Sequence, residues 1–223
     1  MSDVKARNPV RVLDDLRGLL KGTTTVGVKF KDGVIITSDK RATSGTFVAS
    51  KSAVKTIKLT NYAVATISGL VADGQYLVNN VTAISELYRL DMERSMSIRG
   101  MAKLLSVMLR NYRPLFLMAH LIVGGIDGEG PHLFNVDFYG TLTEEDYLAT
   151  GSGSPIAISV IEEGYSPDMS RDEALRLVLS AMIAALQRDS ATGDGTDVVT
   201  ITRDEGVVFI PKEEIKKLWK ELV

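Results

Sequence analysis

From residue 23 to residue 30 apolar and polar positions alternate with a period of two, Lys31-Asp32-Gly33 interrupts them, and Val34-Ile35-Ile36 resumes the run as far as Ser38. Alternation broken by a short glycine-containing turn predicts a β-hairpin that starts at Thr23. A second pair of strands is expected at 56–59 and 63–67, turned at Thr60-Asn61, before Ser68-Gly69 ends the pattern. The period then lengthens. Leu70, Leu77, Val78, Val81, Ile84, Leu87 and Tyr88 keep one helical face apolar, and Ile98, Met101, Leu104, Leu105, Met108 and Leu109 do so in a second helix, with Ser97 as its N-cap and Tyr112-Arg113-Pro114 as its stop.

Strands return at 118–126 and 132–137, joined by Asp127-Gly128-Glu129-Gly130, and again near 147–150. Gly151-Ser152-Gly153-Ser154-Pro155 opens a third helix, and Ser170-Arg171-Asp172-Glu173 reads as the capping box of a fourth. Strands at 197–202 and 207–210, turned by Asp204-Glu205-Gly206, precede a last helix from Pro211. Strands, two helices, strands, two helices, strands and a helix is the order of an α+β domain. It predicts a four-layer αββα sandwich, two mainly antiparallel sheets face to face with a helix layer on each outer side. The apolar fraction of 45% and the lack of a long linker make residues 23–223 one domain.

The first 22 residues stand apart. Val10, Val12, Leu13, Leu16, Leu19 and Leu20 recur at helical spacing among Arg7, Arg11, Asp14, Asp15 and Arg17, which predicts a short amphipathic helix. The segment lacks the continuous apolar stretch of a signal peptide, and its aspartates are unlike an acid-poor transit peptide. A propeptide over 1–22, removed on maturation, is the expectation; a docked or disordered arm is the alternative.

Composition narrows the chemistry. There are no cysteines, so disulfides, thiolate catalysis and cysteine-held metals are out, which suits a cytoplasmic location. A formal charge of −2 with scattered Lys and Arg argues against nucleic acid or an anionic membrane and for a peptide or protein partner. The most apolar stretch, about 115–126, is interrupted by His120 and Gly124-Gly125 and falls short of the roughly 18 to 20 residues that span a bilayer.

The candidate chemistry starts at Lys21-Gly22-Thr23-Thr24-Thr25-Val26-Gly27-Val28. If the bond between Gly22 and Thr23 is cut, Thr23 acquires a free α-amine beside its own hydroxyl, so one residue supplies nucleophile and base. An ordinary Thr-rich strand explains the same letters, because β-branched residues favour strands.

Seven segments decide between the two: 22–27 (Gly-Thr-Thr-Thr-Val-Gly), 38–43 (Ser-Asp-Lys-Arg-Ala-Thr), Lys55, 68–73 (Ser-Gly-Leu-Val-Ala-Asp), 123–127 (Val-Gly-Gly-Ile-Asp), 150–155 (Thr-Gly-Ser-Gly-Ser-Pro) and 187–192 (Gln-Arg-Asp-Ser-Ala-Thr). In that order and spacing the chain resembles a proteasome β-subunit of the archaeal type, an N-terminal nucleophile (Ntn) hydrolase, over essentially all of 23–223. The resemblance implies the Ntn-hydrolase fold and threonine endopeptidase activity without a cofactor or metal. It also implies a zymogen that cuts itself between Gly22 and Thr23. Thr23 matches the nucleophile, Lys55 the cation beside its amine and Asp39 the carboxylate paired with that cation. Gly69 matches the backbone donor to the oxyanion. Ser152, Asp189 and Thr192 match the group around the amine, the last replacing a serine common in the family. Ala42, Ala53, Ile67 and Val71 match positions lining the pocket for the residue before the scissile bond, all apolar, and Thr43 a position that pairs with the substrate backbone. Implied partners are α-subunits, other β-subunits in seven-membered stacked rings, and an ATPase activator that feeds in unfolded polypeptide.

Two other functions fit parts of this pattern: an unprocessed, dormant ring subunit, and a bacterial-type threonine peptidase that docks an unfoldase ring. The length of the leading segment and the extension past Ile210 disfavour the latter. Elsewhere, His120 and His132 are too few and too far apart to suggest a metal site, Glu144-Glu145-Asp146 reads as a solvated turn, and helical methionines read as packing. Ile215, Leu218, Trp219 and Leu222 make an apolar stripe on the last helix, suited to this chain's own core or to a neighbour.

Overall fold

The structure, a computed structural model, describes residues 22–112 and 117–223. The helix expected within 1–22 and the Arg113-Pro114 stop lie outside the described residues.

Two five-stranded antiparallel sheets form the centre. The first runs β10 (Tyr147–Gly151), β1 (Thr24–Phe30), β2 (Gly33–Asp39), β11 (Thr196–Thr202), β12 (Gly206–Phe209). The second runs β5 (Thr56–Thr60), β6 (Ala63–Gly69), β7 (Ala119–Asp127), β8 (Gly130–Val136), β9 (Leu142–Glu144). Period-two alternation sorts the side chains into three layers. Val34, Ile36, Val64, Ile122, Leu133, Val199 and Ile201 pack between the sheets. Val26, Val28, Ile35 and Val198 face the other way, into a core shared with α3 (Ser154–Gly164), α4 (Arg171–Arg188) and α5 (Lys212–Leu222). Ala63, Ala65, Ile67, Leu121, Val123 and Phe134 pack under α1 (Val71–Met92) and α2 (Ile98–Asn111). The result is the four-layer αββα sandwich of Ntn hydrolases, as the order of elements predicts.

Local signals hold at several element ends. Ser97 Oγ accepts from Gly100 N at the start of α2, and both halves of the Ser170/Glu173 capping box are present at the start of α4. The stripe on α5 turns inward: Ile215 is buried, and Leu218, Trp219 and Leu222 pack on the α3/α4 core.

Three expectations change. Ile84 and Leu87 on α1 are exposed, together with Leu90 and Met92. A helix of 22 residues is about 33 Å long and outruns strands of five to seven residues, so only its first half, through Leu77, Val78 and Val81, has a sheet beneath it. A hairpin of β3 (Ala42–Ser44) and β4 (Phe47–Ser50) was not predicted: it is short, mostly solvent-facing and bulged between Ala42 and Thr43, so it leaves no alternation to read. Glu144 ends a strand instead of lying in a solvated turn. It accepts from His132 Nδ1 at 2.6 Å and pairs with Arg99, tying β9 to β8 and to α2.

Candidate active site

Thr23 lies just before β1 and is 2% exposed. Its position is set from both sides, because Thr24 and Thr25 pair with Gly151 and Thr150 of β10, while Thr25 also faces Ser38 of β2. One residue on, β2 ends at Asp39, which pairs with Thr196 of β11. The alternating strands thus carry Thr23, Ser152 and Asp39 to the same end of one sheet.

Asp39 is fully buried and its carboxylate is saturated with donors. Oδ1 accepts from Lys55 Nζ at 2.6 Å and Thr24 N at 3.1 Å; Oδ2 accepts from Gly193 N at 3.0 Å and Arg41 N at 3.1 Å. Lys55, which from sequence could have been an ordinary solvated lysine, has no exposed side-chain surface. Its ammonium has three hydrogens and three acceptors: Asp39, the Arg41 carbonyl at 2.5 Å and the Gly22 carbonyl at 3.4 Å. Burial pushes the Lys55 amine below the usual lysine range, with the Asp39 carboxylate pulling the other way. The same burial pushes Asp39 upward against Lys55 and the Gly193 and Thr24 amides. Four donors converging on one carboxylate fit its ionised form, so the pair is charged.

A second group gathers at the other side of Thr23. Ser152 Oγ and Thr192 Oγ1 each donate to Asp189 Oδ2 at 2.5 Å, and Ala191 N donates to Oδ1 at 3.2 Å. Ser152 Oγ lies 3.5 Å from Thr23 N. Thr192 has given its only hydroxyl hydrogen to Asp189, so its 2.7 Å contact with Thr24 Oγ1 must be donated by Thr24.

At the centre the Thr23 hydroxyl donates to the Gly22 carbonyl oxygen, the same oxygen that Lys55 approaches. A hydroxyl, the carbonyl of the preceding peptide bond and a buried cation therefore meet at one point. Such an arrangement can carry an acyl shift from nitrogen to oxygen, with the cation stabilising the charge that develops on the carbonyl oxygen. Gly22 has φ +149°, and a Cβ there would sit 2.0 Å from Thr43 Oγ1, so a larger residue before Thr23 would strain the backbone and displace the Thr43 side chain.

The remaining candidates lie around this centre. Gly69 ends β6, half-buried. Ala42 and Thr43 form β3, Ala53 donates its N–H to the Lys40 carbonyl, and Val71 opens α1; all four are half-buried. Ile67 differs: it is fully buried in the core under α1, so the chain does not present it to solvent.

Sequence reasoning gave no role to Thr24, Arg41, Gly151, Gly193 or Asp194. Arg41 Nε donates to Asp194 Oδ2 at 2.8 Å and its Nη1 to the Ser190 carbonyl at 2.9 Å, which clamps the 189–195 loop over Asp39. The hydrogen bond to Arg41 holds the Asp194 carboxyl below its ordinary range. The glycines on both sides of Asp194 were the available signal, since Asp194 itself adopts φ +64°. Gly151 has φ +92°, and a Cβ there would lie 2.1 Å from the Thr23 carbonyl oxygen. Gly151→Ala should therefore cost about 1 to 3 kcal/mol or more through strain and displace Thr23, lowering both the thermal midpoint and any peptide hydrolysis. A variant with wild-type melting and turnover would contradict that.

Comparison with known proteins identifies the family. The family described as "Proteasome subunit" matches residues 19–201. "Proteasome subunit beta 1" of Korarchaeum cryptofilum is 73% identical over 205 residues, covering 92% of this chain and 99% of the relative. "Proteasome subunit beta 1" of Caldivirga maquilingensis is 44% identical over 198 residues, 88% of this chain and 96% of the relative. "Proteasome subunit beta" of Methanopyrus kandleri is 42% identical over 210 residues, 92% and 99% respectively. With a family match over most of its length and archaeal proteasome β-subunits as its relatives, the chain belongs to the proteasome subunit family, on its β side.

Proposed function

We propose that this chain is a threonine endopeptidase of a proteasome core particle that frees its own nucleophile by cutting between Gly22 and Thr23. The observation that carries the reading is the meeting of the Thr23 hydroxyl and the Lys55 ammonium on the Gly22 carbonyl oxygen. Thr23 Oγ attacks the Gly22 carbonyl carbon and gives up its proton, and the C–N bond breaks as the nitrogen takes a proton to become an α-amine. Water then hydrolyses the ester, releasing residues 1–22 with a new carboxylate at Gly22. An α-amine titrates near 7.7 to 8.0, so a useful fraction of the freed amine is neutral at neutral pH, and the charge on Lys55 increases that fraction. It takes the hydroxyl proton as Thr23 attacks a substrate carbonyl and returns it to the leaving amine; water then cleaves the acyl-enzyme. The N–H of Gly69 is the oxyanion donor, a contribution of about 3 kcal/mol. Ser152, Asp189 and Thr192 form a hydrogen-bonded set beside the new amine, suited to orienting it.

On this reading the mature domain is 23–223, set in seven-membered β-rings stacked against α-rings, with unfolded protein as substrate, delivered by an ATPase in the cytoplasm. No described helix is long and apolar enough to cross a membrane. The half-buried Ala42, Ala53 and Val71 favour an apolar residue before the cleaved bond. Intact-mass measurement on the chain assembled with its partner subunits tests the reading, together with hydrolysis of fluorogenic peptides ending in Leu, Tyr, Arg or Glu. Loss of residues 1–22 and hydrolysis of the Leu and Tyr peptides about tenfold or more faster than the charged ones is expected. A full-length chain in a complete, inactive particle would instead establish a dormant ring subunit.

A further inference from the structure

The space between the two sheets changes character along its length. Away from the candidate centre it is filled by Val34, Ile36, Val64, Ile122, Leu133 and Ile201. Toward the centre it holds hydroxyls. Thr25 Oγ1 is 2.7 Å from Thr150 Oγ1, which is 2.9 Å from Ser68 Oγ, which donates to the His120 carbonyl at 3.2 Å. All three side chains are buried. The direction of the chain follows from its end. A carbonyl can only accept, so Ser68 donates to His120 and accepts from Thr150, which leaves Thr25 to donate to Thr150. Each hydroxyl has one hydrogen, and each is used once.

These three residues are next to the reacting groups in sequence, Thr25 and Thr150 paired on the first sheet and Ser68 on the second. Thr25 follows Thr23 by two positions on β1, Thr150 precedes Ser152 by two on β10, and Ser68 immediately precedes Gly69 on β6. We propose that the Thr25–Thr150–Ser68 hydroxyl chain is a positioning device for catalysis, fixing the distance across the sandwich between the nucleophile and the oxyanion donor. The proposal rests on the peptidase reading above. Hydrogen-bonded oxygens sit about 2.7 to 2.9 Å apart, whereas a methyl group facing an oxygen or carbon needs roughly 3.5 to 4 Å. Only the Thr150–Ser68 contact crosses between the sheets, so replacing Thr150 by its apolar isostere spreads them by about 1 Å at this end, a misplacement on the scale that lowers turnover by up to about 100-fold. Thr66 supplies the contrast. It lies on the same face of β6, two positions before Ser68, is fully buried, and its hydroxyl has no hydrogen-bond partner, so a methyl in its place breaks no link.

The test uses the assembled particle and four variants of this chain: Thr150→Val, Thr150→Ser, Ser68→Ala and Thr66→Val. Steady-state hydrolysis of one fluorogenic peptide is read as kcat and KM. Thr150→Val should lower kcat about tenfold or more with KM within about twofold, Thr150→Ser should recover most of the loss, and Thr66→Val should match the wild type. Ser68→Ala, which deletes the bridging oxygen and so unlinks the sheets without pushing them apart, should also lower kcat with KM little changed, and combining it with Thr150→Val should add little, because both break one chain. An unchanged kcat in Thr150→Val, an equal loss in Thr66→Val, no recovery by serine or fully multiplicative losses would each overturn the proposal. Should Thr150→Val fail to assemble, Ser68→Ala and Thr150→Ser decide it by the same criteria. A wild-type particle without peptidase activity defeats the peptidase reading itself; an active wild type with indifferent variants defeats only the spacer.

Discussion

A Thr23→Ala chain assembled with its partner subunits should retain residues 1–22 in full and hydrolyse no peptide above background, a loss of roughly four orders of magnitude or more. The substitution removes the hydroxyl that hydrogen-bonds the Gly22 carbonyl oxygen. The next two threonines are engaged elsewhere. Thr24 points to the opposite face of β1, where it bonds Thr192, and Thr25 is committed to Thr150. The fold should persist, because β1 is held on both sides by backbone ladders that the substitution leaves intact. Intact mass reports processing and a fluorogenic peptide reports turnover. Removal of residues 1–22 from the alanine chain would place the cutting agent outside this residue, in a neighbouring subunit or a separate protease.

The second large effect is expected from Lys55→Met. Methionine fills much of the same volume but leaves the Asp39 carboxylate buried and unpaired, and breaking a buried ion pair from one side costs about 3 to 5 kcal/mol. Processing should also fail, since the cation at the Gly22 carbonyl is gone. The pH dependence has a definite sign. Burial, the largest influence on Asp39, raises its pKa, and in the variant the opposing ion pair is absent. A carboxyl whose folded pKa lies above its unfolded value binds protons more tightly when folded, so its contribution to stability is present at low pH and lost as pH rises through the folded value. The deficit of Lys55→Met in thermal midpoint should therefore be greatest near neutrality and shrink on acidification. Adding Asp39→Asn should recover part of the stability at neutral pH and none of the activity. A constant deficit across pH would mean that Asp39 is not the group left uncompensated.

Much of this was legible in the letters because the signals were local. Alternation around Val34-Ile35-Ile36, the Ser97 cap and the Ser170/Glu173 box are decided by neighbours within a turn or a strand, and the elements formed there. The short segments carrying Thr23, Asp39, Lys55, Ser152, Asp189 and Thr192 could be named by resemblance, but their placement depends on register. The Arg41 clamp on Asp194 and the hydroxyl chain from Thr25 to Ser68 join residues separated by scores of positions, for which composition and period offer no cue. The exposed half of α1 shows the converse limit, since a helical stripe tells which residues share a face and not whether a sheet lies beneath it.

The ligands of Asp39 lie 2, 15, 16 and 154 residues away along the chain, at Arg41, Thr24, Lys55 and Gly193. Three belong to the first hairpin and its sequel, but the fourth arrives only when the segment after α4 has been made and has paired β11 against β2. Closing so long a loop is among the slow events of folding. A partly synthesised chain thus holds a carboxylate with an open position and a lysine without its finished cage, so the centre stays unassembled until nearly the whole polypeptide has emerged.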